Sequence, residues 1–230
     1  MKTFVLSRQE SVTKAAAHVC TVIKKKPDAV LAIDTGESCE AVYRILLECA
    51  LRGEIDLSRI RFFAVKEYAK PVEISCRASL EKPLKEAGVP EQNCFFLTEE
   101  NCARYDEQIA ALGGLDLAIL DIGVNARIGF NEPATPYDSR THRQKLSPAT
   151  RRELAAAFGG EERVPDYGLT MGIKTLVESR DIILAVSGQD KADAVFQTLY
   201  ARDDGAVPAA FLQLPPNVTL YLDESAAKKL

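Results

Sequence analysis

Apolar runs alternate with helix-period stretches along almost the whole chain, the pattern of buried strands joined by crossover helices. The run "DAVLAID" (28–34) reads as a buried strand. The stretch "GESCEAVYRILLECALRG" after it puts Val42, Ile45, Leu46 and Cys49 on one helical stripe that closes at Gly53. Ahead of both, Ser7 or Ser11 can cap a helix reaching "VIKKK", whose lysines suit the negative end of the helix dipole. "IRFFAV" predicts a second central strand, followed by a helix over "CRASLEKPLKEAG", a short strand "CFFL", a helix over "ARYDEQIAALGG" and the strongest strand, "LDLAILDI". Between Asn131 and Tyr167 the alternation gives way to polar, basic, Pro-containing sequence with one helical island, "PATRRELAAAF". A stretch of that length reads as a lid or insertion, about residues 131–167. The alternation then resumes with a helical "MGIKTLVESR", a strand "DIILAVSG", a helix over "KADAVFQTLYARDD" and a closing strand "VTLYLDE". The expected architecture is α/β: one domain over 1–230, a three-layer arrangement of a mostly parallel sheet with helices on both faces.

Composition narrows the partners. A chain of 230 residues with 47% hydrophobic and 27% charged residues can bury the core of one large domain. Its formal charge of −4 argues against a nucleic-acid or membrane surface, each of which asks for a basic stripe. Small molecules or other protein chains are the expected partners. Cys20, Cys39, Cys49, Cys76, Cys94 and Cys102 are scattered with no CxxC and no neighbouring histidine, so buried thiols are expected and no metal site. The amino terminus lacks a long apolar stretch, and the expectation is a cytoplasmic, reduced protein.

In open α/β sheets ligands bind beyond the carboxyl ends of the strands. Four turns lie there: "DTGES" (34–38), "VKEY" (65–68), "DIGVNARIGFNEP" (121–133) and "SGQDK" (187–191). Thr35, Gly36 and Ser38 at a helix start can offer N–H groups and hydroxyls to a phosphate, or simply form a capped turn. Glu37 repels an anion there unless its side chain points away. Lys191 is an anion ligand or a solvated lysine.

Taken together, in this order and spacing, the turns resemble one family: the glucosamine-6-phosphate deaminases, with their relatives the 6-phosphogluconolactonases. "GFNEPA" and "LTMGIKTL" are the most specific stretches, and the resemblance spans nearly the whole chain. It implies a modified Rossmann-type sheet, a sugar-phosphate ligand and no cofactor, and is compatible with a homo-oligomer. Family members open an amino-sugar phosphate ring, move a proton between C1 and C2 and release ammonia, which places them among the isomerases and hydrolases of carbohydrate metabolism. Such proton traffic needs acids and bases of near-neutral pKa beside the sugar.

The resemblance also locates departures. The family loop carries an Asp, a His two residues on and a Glu five after the His; here those positions hold Asn125, Arg127 and Glu132. The family's "DEY" turn is Lys66-Glu67-Tyr68, with Glu67 counted among the substrate contacts. An amide exchanges no proton, and an arginine stays protonated at any working pH, so neither replaces the acid–base pair. A lysine accepts a proton only if burial or cationic neighbours depress its pKa. Lys191 matches the family's phosphate lysine, Glu37 replaces a small residue, and the phosphate arginine of the hexameric deaminases falls near Ala156, with Arg151 and Arg152 a turn earlier.

Each of these residues also has a bland role. Lys66 can pair with Glu67, Arg127 with Glu132 or Asp121, Glu132 can serve the turn before Pro133, and His142 reads as a solvent-exposed histidine. The two added cations suggest a pocket for a more anionic ligand. Three functions stay open: a sugar-phosphate-binding protein whose standard deamination is lost or weakened, an enzyme with shifted isomerase or lactonase chemistry using Lys66 as a desolvated base, Glu132 as its partner and Arg127 to stabilise a developing oxyanion, and a non-catalytic metabolite sensor or assembly subunit.

Overall fold

The computed structural model describes residues 1–69, 74–202 and 205–230. In chain order the elements are β1 (Lys2–Leu6), α1 (Arg8–Lys25), β2 (Val30–Ile33), α2 (Glu37–Leu51), β3 (Arg61–Ala64), β4 (Lys66–Tyr68), α3 (Cys76–Glu86), β5 (Cys94–Phe95) and α4 (Tyr105–Ala111). There follow β6 (Leu117–Leu120), β7 (His142–Lys145), α5 (Pro148–Phe158), β8 (Tyr167–Thr170), α6 (Ile173–Val177), β9 (Ile182–Val186), α7 (Ala192–Tyr200) and β10 (Val218–Asp223). Residues 203–204, within the helix expected over "KADAVFQTLYARDD", lie outside the described residues.

Seven strands form one parallel sheet in the order β1-β10-β9-β6-β2-β3-β5. Side chains alternate across it with the period of a strand. Val30 and Ala32 of β2, with Ala118 and Leu120 of β6, face one core that also takes Ile109, Leu176 and Val195 from α4, α6 and α7. Leu31 and Ile33, with Leu117 and Ile119, face the other, against Val19, Leu46 and Leu80 of α1, α2 and α3. Both faces are thereby covered, which is why these strands read as continuous apolar runs.

Local chemistry sets the helix ends. Ser7 accepts from Glu10 N while Glu10 reaches back to Ser7 N, a complete capping box at α1. Of the two caps expected there, Ser7 serves. The helical island of the sequence is α5, with Ser147 as its N-cap and Gly159 (φ 70°) closing it.

The polar stretch from Asn131 to Tyr167 contributes more than α5. Its β7, together with β4 and β8, makes a second, antiparallel sheet in the order β4-β8-β7. Strand β7, "HRQK", has no alternating apolar pattern, so periodicity could not reveal it. A small cluster of Phe130, Leu146, Phe158 and Val164 packs beneath this sheet and α5, apart from the two main cores. Among the described residues no helix is long and apolar enough to cross a membrane.

Candidate functional site

The strand order reverses about β2, with β3 on one side and β6 on the other, so the carboxyl ends of β2 and β6 meet at a topological switch point. Asp34 ends the first and Asp121 the second. Both carboxylates are buried, and Asp121 N–H lies 3.5 Å from Asp34 Oδ2. Gly36 is required here: a Cβ at that position would collide with the Asp121 carboxylate.

Lys66, the first residue of β4, reaches back to Asp34. Its Nζ lies 2.7 Å from Asp34 Oδ1, and both residues are buried. Burial by itself lowers a lysine pKa, but Asp34 outweighs it and holds Lys66 above the ordinary value. The ammonium is therefore the stable form, the reverse of what a general base needs. The lysine pairs with Asp34, not with its neighbour Glu67. Asp121 is pushed up to about 6, chiefly by burial and further by Asp34, against the opposing pull of Lys191 and Lys66.

Glu67 faces elsewhere. Its carboxylate accepts N–H bonds from Tyr68 (2.8 Å), Cys76 (3.0 Å) and Arg77 (2.8 Å), the last two being the first residues of α3. It closes the β4–α3 connection as a helix-terminal anion. Glu67→Ala is expected to cost about 2 kcal/mol of stability, the usual worth of hydrogen bonds to a charged group, seen as a lower urea midpoint.

The loop after β6 is held over the sheet by its own side chains. Asn125 Nδ2 donates to Glu132 Oε2 at 2.7 Å, and Glu132 Oε1 accepts from the N-cap amide Ser147 N at 3.0 Å. Glu132 thus ties the loop to the start of α5. Asn125 Oδ1 has no partner among the described residues. Asn131 Nδ2 donates to the carbonyls of Ile128 and Met171, fixing the Phe130 turn. Ala126 sits at φ 57°, a left-handed conformation unusual for a residue with a Cβ.

Arg127 is buried and turns toward α5. Its Nε donates to Thr150 Oγ1 (3.0 Å), one terminal nitrogen to Gly129 O, and the other to Glu153 Oε2 at 3.1 Å. Gly123 makes room for it, since a Cβ there would strike the guanidinium. Neither Glu132 nor Asp121 is its carboxylate partner, as the sequence alternatives had it. Lys191 Nζ reaches Glu153 Oε1 at 2.6 Å and Ile122 O at 2.8 Å. Burial would raise the Glu153 pKa, but Arg127 and Lys191 together keep it below the ordinary value. Both added cations, Lys66 and Arg127, are thus neutralised within the chain, and the crevice is not the strongly positive pocket expected from their sequence.

The β2–α2 turn presents Gly36 as helix N-cap with no side-chain bond to the first turn. Thr35 Oγ1 donates to Cys76 Sγ at 3.1 Å, and Ser38 is buried one residue into α2. Glu37 points away, exposed and paired with Arg8, so it does not repel an anion at this helix start. Arg151 is committed to Asp166 (2.6 Å) and Glu161 O, while Arg152 and Ala156 are exposed. His142 is only partly exposed, bound to Arg140 O and Gln144.

Asp34, Asp121 and Glu153 are the site residues missing from the sequence-derived set. The first two carried a legible signal, each being the carboxylate that ends a buried strand. Glu153 had only its place one turn after Thr150 in an isolated helix.

Comparison with known proteins agrees with this geometry. The family model described as glucosamine-6-phosphate isomerases/6-phosphogluconolactonase matches residues 7–221. A glucosamine-6-phosphate deaminase of Bacillus velezensis is 36% identical over 230 aligned residues, 95% of each chain. One of Clostridium tetani is 34% identical over 99% of each. Among solved structures, a monomeric glucosamine-6-phosphate deaminase superposes over all of both chains with TM-score 0.95 and 33% identity. The 6-phosphogluconolactonase of Trypanosoma brucei shares the fold, at TM-score 0.79 and 18% identity over 100% of this chain and 98% of that one. With its switch-point crevice, its "GFNEP" loop and this full-length similarity, the chain belongs to the glucosamine-6-phosphate isomerase/6-phosphogluconolactonase family.

Proposed function

We propose that the chain binds a phosphorylated sugar in the switch-point crevice, in amino-sugar phosphate metabolism, and that the standard deamination is lost or greatly weakened. The observation that carries this reading is the fate of the exchanged positions. Lys66 is held as an ammonium by Asp34, Asn125 is an amide bonded to Glu132, and Arg127 is clamped by Thr150, Gly129 and Glu153. None of the three is set to carry a proton between sugar carbons. Glu132, in the position the family uses, serves here as a fastener between the loop and α5.

Support for ligand binding comes from Lys191, the uncapped N-terminus of α2 with Thr35, Gly36 and Ser38, and the unpartnered Asn125 Oδ1, an acceptor for a sugar hydroxyl. With glucosamine 6-phosphate as substrate, ammonia and fructose 6-phosphate should form orders of magnitude more slowly than with the B. velezensis relative assayed alongside. Comparable turnover would refute the loss. A thermal-shift panel of sugar phosphates checks the binding, and a flat response to all of them refutes it. Binding without turnover of any panel member is the behaviour of a sensor.

A second reading, shifted isomerase or lactonase chemistry, draws on one further observation. Burial and the nearby Asp34 push Asp121, at the end of a central strand, up to about 6, within the range an acid–base group needs. Any turnover of a sugar phosphate or sugar lactone should then disappear in Asp121→Asn, and activity surviving that change excludes Asp121 as the proton carrier.

A further inference from the structure

Three donors of the crevice converge on one carboxylate of the protein itself. Lys191 Nζ (2.6 Å), the Arg127 guanidinium (3.1 Å) and the Val124 amide (3.4 Å) all point at Glu153. A lysine, an arginine and a backbone N–H around an anion is the donor set by which proteins hold phosphate. Here the anion is a side chain of α5.

We propose that Glu153 is an internal occupant of the anion subsite that a ligand's phosphate must displace, so this one side chain sets how tightly the crevice takes phosphorylated ligands; the inference rests on the sugar-phosphate reading above. A phosphate entering beside Glu153 would meet its charge in a largely enclosed site, where like charges repel strongly. Exchange avoids that repulsion. The two cations are fastened independently of Glu153: Arg127 by Thr150 and Gly129 O, Lys191 by Ile122 O. They keep their positions when the carboxylate swings out. Glu153 is also the most accessible member of the cluster, at 16% side-chain exposure against 5% for Arg127 and 13% for Lys191. Its helix packs on the small cluster of Phe130, Leu146, Phe158 and Val164, outside the two main cores.

The test is calorimetric titration of inorganic phosphate and of glucosamine 6-phosphate into the wild-type protein, Glu153→Gln and Glu153→Asp. Glu153→Gln removes the charge at constant shape and should bind both compounds about tenfold more tightly or better, a gain of about 1.4 kcal/mol. Glu153→Asp keeps the charge one methylene short of spanning both cations and should tighten less. Glucose, which carries no charge, should show no change, and Lys191→Gln added to Glu153→Gln should cancel the gain. Should Glu153→Gln unfold in the absence of anions, recovery of its helical circular dichroism on adding phosphate is the same competition read through folding. Equal affinities in wild type and Glu153→Gln, or an unfolded variant that phosphate does not rescue, overturn the inference. If the wild type binds sugar phosphates in that case, the binding reading still stands; if neither protein binds any phosphate compound, both fall.

Discussion

Replacing Lys66 by methionine is expected to lower the folding free energy by about 3–5 kcal/mol, the typical effect of removing one partner of a buried ion pair. Asp34 is 1% exposed, and its partner ammonium lies 2.7 Å away. Beyond that it accepts the Thr35 amide at 2.8 Å and the Asp121 amide at 3.5 Å, and its charge acts on the Asp121 carboxyl at the switch point. Without Lys66, two buried carboxylates confront each other with no cation at their centre. Methionine keeps the packing of the aliphatic stem, so the effect reports charge, not a cavity. The double variant Lys66→Met with Asp34→Asn should regain more than half of the loss, since the amide still accepts from Thr35 and residue 34 no longer carries an unpaired charge. Urea unfolding of the two variants decides it. A Lys66→Met unfolding free energy within about 0.5 kcal/mol of wild type would show that the pair contributes nothing to stability.

Asp121→Asn should do the opposite. The folded protein raises the Asp121 pKa from 3.8 to about 6, so the native state binds this proton more tightly than the unfolded chain does. A raised pKa contributes stability that is fully present below pH 4 and is lost as the pH climbs through 6. Above neutrality the wild type therefore carries a cost of roughly 3 kcal/mol, from two pKa units at about 1.4 kcal/mol each. Asparagine keeps an acceptor for the Ile122 amide, which Asp121 Oδ1 now binds at 2.8 Å, and carries no charge to desolvate. The variant should be the more stable protein at pH 7–8, with the advantage shrinking to nothing near pH 4. A difference that stays constant across this range would show that packing and not ionisation governs the position. A protein that keeps such a cost at a switch-point residue has a ready acid–base group there, which is what the second functional reading requires.

Much of the fold was open to a reader of the chain. "LAID", "FFAV", "AILD" and "ILAV" announced the central strands because both faces of a parallel sheet are dry, and Ser7 and Gly53 announced helix ends through chemistry local to a few residues. The antiparallel sheet was not legible. The segments "KEY" and "HRQK" are polar, and only the register Lys66↔Thr170 and His142↔Thr170 makes strands of them. The crevice was half legible. Asn125, Arg127, Glu132, Lys66 and Lys191 were found as a set through the family resemblance of their turns, but the partners of the cations were not, because the ion pairs join residues 26 to 38 positions apart on different elements.

Residue types and local spacing determined which groups this protein brings to the ends of its strands; that an amide, an arginine and a lysine stand where proton carriers are expected is what the family resemblance of those turns implies. The tertiary structure decided what those groups do. Asp34 and Glu153 take up the added charges of Lys66 and Arg127, since a buried cation is tolerated only with a counter-ion at contact distance. Which carboxylate supplies it depends on how β2, β6 and α5 pack around one crevice, a relation in space that no short stretch of the chain contains.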